Sequence, residues 1–386
     1  MNFDLIFAII FYVLIFLFYL KNKNKFEIQG KVFALYKTKL GINLMDKLAK
    51  KYPKLLNFLS YLGIIIGFLG MFFILYTLIK GTYNLIFIPK AQPVVAPVLP
   101  GISVQGLPVL SFWHWIIAIF IVAVVHEFAH GVYARLHNIK IKSSGFAFLG
   151  PILAAFVEPD EKMLKRSSTR KQLSILSAGP FVNIILAFLV ILFFNFIFIP
   201  LQSNILISDG VKLVQVEQNS PAALAGLTSG IIIREINNVK INSQDILIKE
   251  IQKSNENSFI KLATDKGLFY VKPKIVDDKP KIGISVSNNL RIIQGLPQFL
   301  LPLISWFNML FFWLWVINLG VGLFNLLPLG PIDGGRMFYA ALLGMTTNKK
   351  ALNIFKIVTV FCILLILINL SPYIFKLFSW LFNIFS

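Results

Sequence analysis

The chain has 386 residues, 57% of them hydrophobic and only 14% charged, and Phe alone occurs 38 times; with a mean hydropathy of +0.76 this excludes an ordinary soluble globular protein. A formal net charge of +20 would suggest a polyanionic partner in a soluble chain, but here the basic residues fall in blocks between apolar runs. They read as loops held against a lipid bilayer, and nucleic acid is not expected as a partner. The single cysteine, Cys362, excludes an intrachain disulfide.

Six runs of about 20 apolar residues, long enough to cross a membrane, predict an α-helical polytopic membrane protein. They are Phe3 to Leu20, Leu55 to Ile79, Phe112 to Ala134, Leu173 to Leu201, Phe299 to Leu327 and Ile354 to Phe382. Gly179-Pro180, Gly320 and Pro372 are expected to kink or break the last three. The first run has no basic residue before it and many after it, opposite to a cleavable secretory signal, and is read as a retained helix.

Ten lysines lie between Lys21 and Lys54, a second basic cluster runs from Arg135 to Lys171, and Arg336, Lys349 and Lys350 form a third. Between Gly81 and Val109 there is only Lys90. The excess of basic residues on cytoplasmic loops therefore puts these three groups inside, and both termini and the segment from Gln202 to Pro297 outside. The protein is expected to be a multi-pass protein of the cell membrane.

The third run ends in His126-Glu127-Phe128-Ala129-His130. Residues four apart share one helix face, so His126 and His130 can offer imidazole nitrogens to one tetrahedral metal, with Glu127 beside them as a base. Left unpaired in hydrocarbon, each of these groups would cost a few kcal/mol. The loop that follows contains Gly145-Phe-Ala-Phe-Leu-Gly-Pro-Ile-Leu-Ala-Ala-Phe-Val157, too short to span. It is expected to be re-entrant or interfacial and to present a strand edge to an unwound substrate.

A catalytic zinc site normally takes three protein ligands and leaves a fourth position open. Of the 17 acidic residues, nine lie in the 202–297 segment. Asp333 stands apart in Asn325-Leu-Leu-Pro328-Leu-Gly-Pro331-Ile-Asp333-Gly334-Gly335-Arg336, where prolines stop the fifth helix and glycines permit a turn. Both the third and fifth runs go from outside to inside, so Asp333 and the histidine pair reach the same depth. Glu158 is the alternative third ligand, although it lies close to the motif helix.

His126 to His130, taken with Asn325-x-x-Pro328-x-x-Pro331-x-Asp333-Gly334, resembles the site-2 protease family of intramembrane zinc metalloproteases. Ser177-Ala-Gly179-Pro-Phe-Val-Asn183 is similar to that family's Gly-x-x-x-Asn element, and the matching motifs cover roughly Phe112 to Arg336. The resemblance implies one catalytic zinc ion held by His126, His130 and Asp333, with Glu127 as the catalytic base. It also implies that Asn183 and Asn325 contact substrate backbone, hydrogen bonding between helices being the plainer alternative for both. Substrates would be transmembrane proteins cut within or near their helices, as in regulated intramembrane proteolysis. A membrane zinc-binding or transport protein is the rival from another class, and a protease with a glutamate third ligand the rival within enzymes.

The intervening segment has the composition of a soluble α/β module. Val211-Lys-Leu-Val-Gln-Val216 alternates as a strand, and Ser220-Pro221-Ala-Ala-Leu-Ala225 starts a helix with a serine cap and proline at the first turn. The pattern resembles a permuted bacterial PDZ domain, with Lys281-Ile-Gly283-Ile284 at the place of its peptide-terminus loop; such a module takes a peptide ligand or acts as a size filter. The expected organisation is residues 1–110 as two helices with a basic cytoplasmic loop, 111–201 as the first part of the protease core, 202–297 as an extracytoplasmic PDZ-like domain, and 298–386 as the second part of the core with a last helix.

Overall fold

The computed structural model describes residues 3–29, 33–149, 152–276 and 278–385, which form two compact units, Met1–Leu192 with Met309–Ser386, and Phe193–Asn308. Unit 1 begins with α1 (Phe3–Lys21), β1 (Phe26–Gln29), β2 (Phe33–Thr38), α2 (Ile42–Lys51) and α3 (Pro53–Phe87). It continues with α4 (Phe112–Leu136), the strands β3 (Ile141–Leu149) and β4 (Ile152–Pro159), α5 (Glu161–Arg166) and α6 (Thr169–Phe193). Pro53 opens α3, where its missing N–H costs nothing. Ser111 caps α4 by accepting from the His114 backbone N–H, and Asp160 caps α5 by accepting from those of Lys162 and Met163.

β3 and β4 stand in the segment expected to present a strand edge, whereas β1 and β2 fall among residues expected to be loop. β1, β2, β3 and β4 form one antiparallel sheet in that order, so residues 26–29 and 33–38, read as part of a basic loop, supply half of it. Phe26-Glu27-Ile28-Gln29 alternates apolar and polar residues, and the ring of Tyr36 packs on Phe18 and Phe26, with centroids 5.3 Å apart in both cases. The segment after the motif helix is the β3–β4 hairpin; Gly150, expected to shape it, lies outside the described residues. β4 is the sheet's last strand, with one edge free of strand partners.

Unit 2 opens with a π-helical turn (Phe194–Phe198) and α7 (Ile199–Ser203) and continues with β5 (Leu206–Val216), α8 (Pro221–Leu224), β6 (Ile232–Ile236), β7 (Val239–Lys240), α9 (Gln244–Gln252), β8 (Ile260–Thr264), β9 (Gly267–Val271), β10 (Lys274–Val276), β11 (Lys279–Lys281) and β12 (Ile284–Ile292). The main sheet runs β12-β5-β6-β8-β9, with β7 on β6. Its core is wholly apolar, with Val211, Leu213, Ile233, Ile236, Leu247, Ile260 and Leu262 fully buried. Between the start of β12 and α9 lies a groove of about 600 Å³, lined by Ser220, Leu247, Ile251, Lys281, Gly283 and Ile284 among others.

The chain closes with α10 (Leu300–Phe324), α11 (Asp333–Met345) and α12 (Asn348–Phe385). Among the described residues six helices are long and apolar enough to cross a membrane, in the regions expected. Their outward faces carry large apolar side chains such as Phe72, Phe188 and Ile357, as lipid contact requires. The expected breaks are absent at Pro180, Gly320 and Pro372, where α6, α10 and α12 continue as helix. The break expected from Pro328 and Pro331 is present, at residues 325–332 between α10 and α11.

Candidate metal centre

α4 holds its histidine pair firmly because α2 packs beneath it. Ile42, Met45 and Ala49 are the buried residues of α2, and Met45 shares a core with Ala129, Val132 and Tyr133 of α4 and Ile175 and Ala178 of α6. Asp46 pairs with the Arg135 guanidinium through both of its oxygens. On the third wall, α10 ends and the chain doubles back so that the Gly334 N–H donates to the Asn325 carbonyl at 2.6 Å. A side chain on Gly334 would overlap the Leu326 and Leu327 carbonyls, so only glycine lets α11 begin there. Asp333, expected in a turn, is the first residue of α11.

This folding brings three ligand atoms together from two helices some two hundred residues apart. His126 Nε2 lies 3.0 Å and His130 Nε2 3.2 Å from Asp333 Oδ2, and the two nitrogens are 3.1 Å apart. Both histidines are buried. Nδ1 of His130 donates to the Ile175 carbonyl at 2.7 Å, so in the neutral ring Nε2 carries a lone pair. Two imidazole nitrogens and a carboxylate oxygen thus converge on one point. They fit a cation: ligand atoms around a tetrahedral zinc, bonded at about 2.0–2.2 Å, stand roughly 3.3–3.5 Å apart. Among the described residues, these three form the group of His, Cys, Asp and Glu side chains close enough to share a metal.

Glu127 is half-buried, and its Oε2 accepts the backbone N–H of Val157 at 3.0 Å. That bond shows the Val157 N–H pointing away from β3, so the free edge of β4 and the carboxylate share a wall. With the ligands they line a cleft of about 270 Å³ whose other walls are Pro159, Leu164, Ile175, Leu176, Asn325, Pro331, Ile332 and Arg336. At its rim Arg336 pairs with Glu161 at 2.9 Å.

Asn325 lines the cleft, as a substrate contact would. Asn183 does not: it is fully buried behind the ring of His126, its amide 3.0 Å from Nδ1, so the alternative of helix-to-helix bonding describes it. Glu158, the rival third ligand, is committed elsewhere, its Oε2 accepting from Ser143 Oγ at 2.6 Å and lying 3.5 Å from Lys37 Nζ. The remaining histidines sit at the two ends of α4, with His114 Nδ1 against Ser111 Oγ and His137 Nε2 2.8 Å from Ser174 Oγ. Burial, with Lys171 and Arg170 nearby, pushes His137 down to about 4. Neither is part of the ligand group, which removes the chain of ligands a metal conduit would need.

Sequence reasoning missed the closeness of Gly179. A methyl group on this residue of α6 would stand 2.5 Å from His130 Nε2 and 2.6 Å from His126 Nε2, tighter than real carbon atoms tolerate. The Gly-x-x-x-Asn spacing was the available signal, since it sets Gly179 and Asn183 one turn apart on a single face.

Comparison with known proteins adds to this geometry. The profile of peptidase family M50 matches residues 114–368. An uncharacterized protein of Methanocaldococcus jannaschii is 33% identical over 87% of this chain and 84% of its own. The chloroplastic membrane metalloprotease ARASP of Arabidopsis thaliana is 26% identical over 51% of this chain and 52% of its own. A Clostridium acetobutylicum protein named as a zinc metalloprotease is 24% identical, over 62% and 90% respectively. Among solved structures, the PDZ domain of an SdrC-like protein from Listeria monocytogenes is 27% identical over 20% of this chain and 87% of its own, with a TM-score of 0.19.

Proposed function

Since the chain belongs to peptidase family M50, the site-2 protease family, and is a multi-pass membrane metalloprotease, we propose that it hydrolyses peptide bonds within or near the transmembrane helices of membrane proteins. The observation that carries this reading is the convergence of His126, His130 and Asp333 on one point, at a cleft that also holds Glu127 and the free edge of β4.

His126 Nε2, His130 Nε2 and Asp333 Oδ2 would hold one zinc ion, which supplies Lewis acidity to water and to a peptide carbonyl. Glu127 takes a proton from the attacking water as its oxygen adds to the carbonyl carbon. The same carboxylate then delivers that proton to the amine nitrogen as the C–N bond breaks, so Glu127 ends as it began. Val157 holds Oε2 during this cycle and leaves Oε1 for the proton. Asn325 is placed to bind substrate backbone. A helix shields its own peptide bonds, so the substrate must unwind locally. Gly, Asn or Pro near the cut lowers that cost by roughly 1–3 kcal/mol per Gly or Pro, and an unwound segment can pair with the β4 edge.

The charge blocks support a site near the cytoplasmic side, reached by water at the break around Pro328 and Pro331, with residues 202–297 outside the cell. The organisation read from the sequence, two core parts flanking an inserted PDZ-like domain, is retained as part of this proposal. An open groove beside the edge strand β12 supports a peptide ligand there.

The test uses the purified full chain in proteoliposomes with a single-span substrate carrying a central Gly-Asn-Pro segment. Wild type should cleave it, lose activity to a chelator and regain it with zinc. Glu127→Gln should bind zinc normally and cleave nothing; cleavage that survives this change would falsify the assigned chemistry.

A further inference from the structure

Each zinc-facing imidazole needs its other nitrogen fixed, because the partner of Nδ1 decides whether Nε2 presents a proton or a lone pair. For His130 the partner is the Ile175 carbonyl, which can only accept. For His126 it is the amide of Asn183, which can either donate or accept. With the amide nitrogen against His126 Nδ1, the ring proton belongs on Nε2, where it would point at His130 Nε2 and Asp333. In that pose Asn183 Oδ1 is also a fully buried oxygen with no hydrogen-bond partner, a cost of about 1–3 kcal/mol. A half-turn of the amide exchanges two nearly isosteric ends. It puts Oδ1 against Nδ1–H, moves the Nδ2 hydrogens to where the oxygen was, and turns the Nε2 lone pair of His126 inward beside that of His130.

We propose that Asn183 is a positioning residue that accepts the Nδ1–H of His126 through its amide oxygen and so fixes the tautomer able to hold the metal. This rests on the metal site proposed above. Burial strengthens the assignment: Asn183 is closed off from the cleft, so a direct role on substrate needs a movement, whereas its contact with His126 is already made. Position strengthens it too. Gly179, one turn earlier on α6, leaves the rings room to sit against the helix, and Asn183 then meets the far side of the nearer ring.

The experiment measures zinc affinity of the full chain in detergent by competition with a chromogenic chelator, without reference to turnover. Asn183→Leu removes the amide and should weaken zinc binding roughly 10–100-fold, the usual effect of losing such a partner. Asn183→Asp keeps only acceptors and should hold affinity within about threefold of wild type or tighten it, as carboxylates do in carboxylate–histidine–zinc arrangements. A residue that merely packed or donated would not be rescued by aspartate. Equal affinity of Asn183→Leu and wild type overturns the proposal, and so does a fall in Asn183→Asp as large as in Asn183→Leu. Should the leucine variant not fold, the aspartate variant decides alone, retention supporting the proposal and a fall of 10-fold or more overturning it. A wild-type chain that takes up no zinc would instead bring down the site itself, which separates the two failures.

Discussion

The metal centre of unit 1 and the core of unit 2 are both buried, yet they are built from opposite materials. Around the centre, His126, His130, Ser174, Ser177 and Asn183 are polar and closed off from solvent, set on helices that are otherwise apolar. In unit 2 the buried side chains are apolar but for Ser220, and polar groups serve as helix caps, Ser220 and Ser243 among them. A polar group in an apolar interior costs several kcal/mol unless it is partnered. The first region therefore spends stability on chemistry and the second accumulates it. Substitutions should separate accordingly, touching metal and turnover in one and unfolding in the other.

The sharpest break of that contrast is expected at Asp333. Asp333→Asn should abolish cleavage and cost more zinc affinity than the roughly 10–100-fold typical of an outer partner, while Glu158→Gln leaves both unchanged. The reverse result, read by zinc titration, would move the third ligand to β4. Next in size, Ile260→Ala in β8 should destabilise unit 2 by about 2–5 kcal/mol. Hydrogen exchange of strand β8 in the full chain would report this, and zinc affinity should not change. Gly179→Ala reverses the pattern: the added methyl must push the imidazoles, and zinc affinity should fall roughly 10-fold or more while unit 2 is untouched, the helix propensity gained, about 1 kcal/mol, offsetting part of an overpacking cost of about 1–3 kcal/mol. An unchanged affinity would mean that the rings yield freely. Smallest is Ser220→Ala, which removes the cap accepting from the Ala223 N–H and should cost about 1 kcal/mol, seen only in the exchange of unit 2.

Much of this site was legible because its rules are local. An i, i+4 pair fixes His126 and His130 on one face whatever surrounds them, and Pro328 and Pro331 mark the stretch between the end of α10 and the start of α11. β5 and the serine-capped turn at Ser220 likewise follow from alternation and capping, and they stand where the sequence puts them. What could not be read depends on pairing at a distance. The bond from Val157 to Glu127 needs the register of β4 against α4, and no local pattern in residues 152–159 encodes it. β1 and β2 were hidden because they are only 4 and 6 residues long and the strand that β2 pairs with begins far along the chain, at Ile141. Asn183 could be read in two ways because a motif names a residue type and spacing without saying which neighbour its amide faces.

The four-stranded sheet also carries a consequence for biosynthesis. β2 is finished at Thr38, but its neighbour β3 does not begin until Ile141. At roughly 5–20 residues per second, that interval of about a hundred residues leaves one side of β2 unpaired for some 5–20 s while three further helices, α2, α3 and α4, are made. An open strand edge invites pairing with other chains, and lysine is among the residues that discourage it. Lys37 and Lys39, at the end of that strand, are therefore placed to protect a nascent chain at the ribosome as well as to hold a finished one in its bilayer.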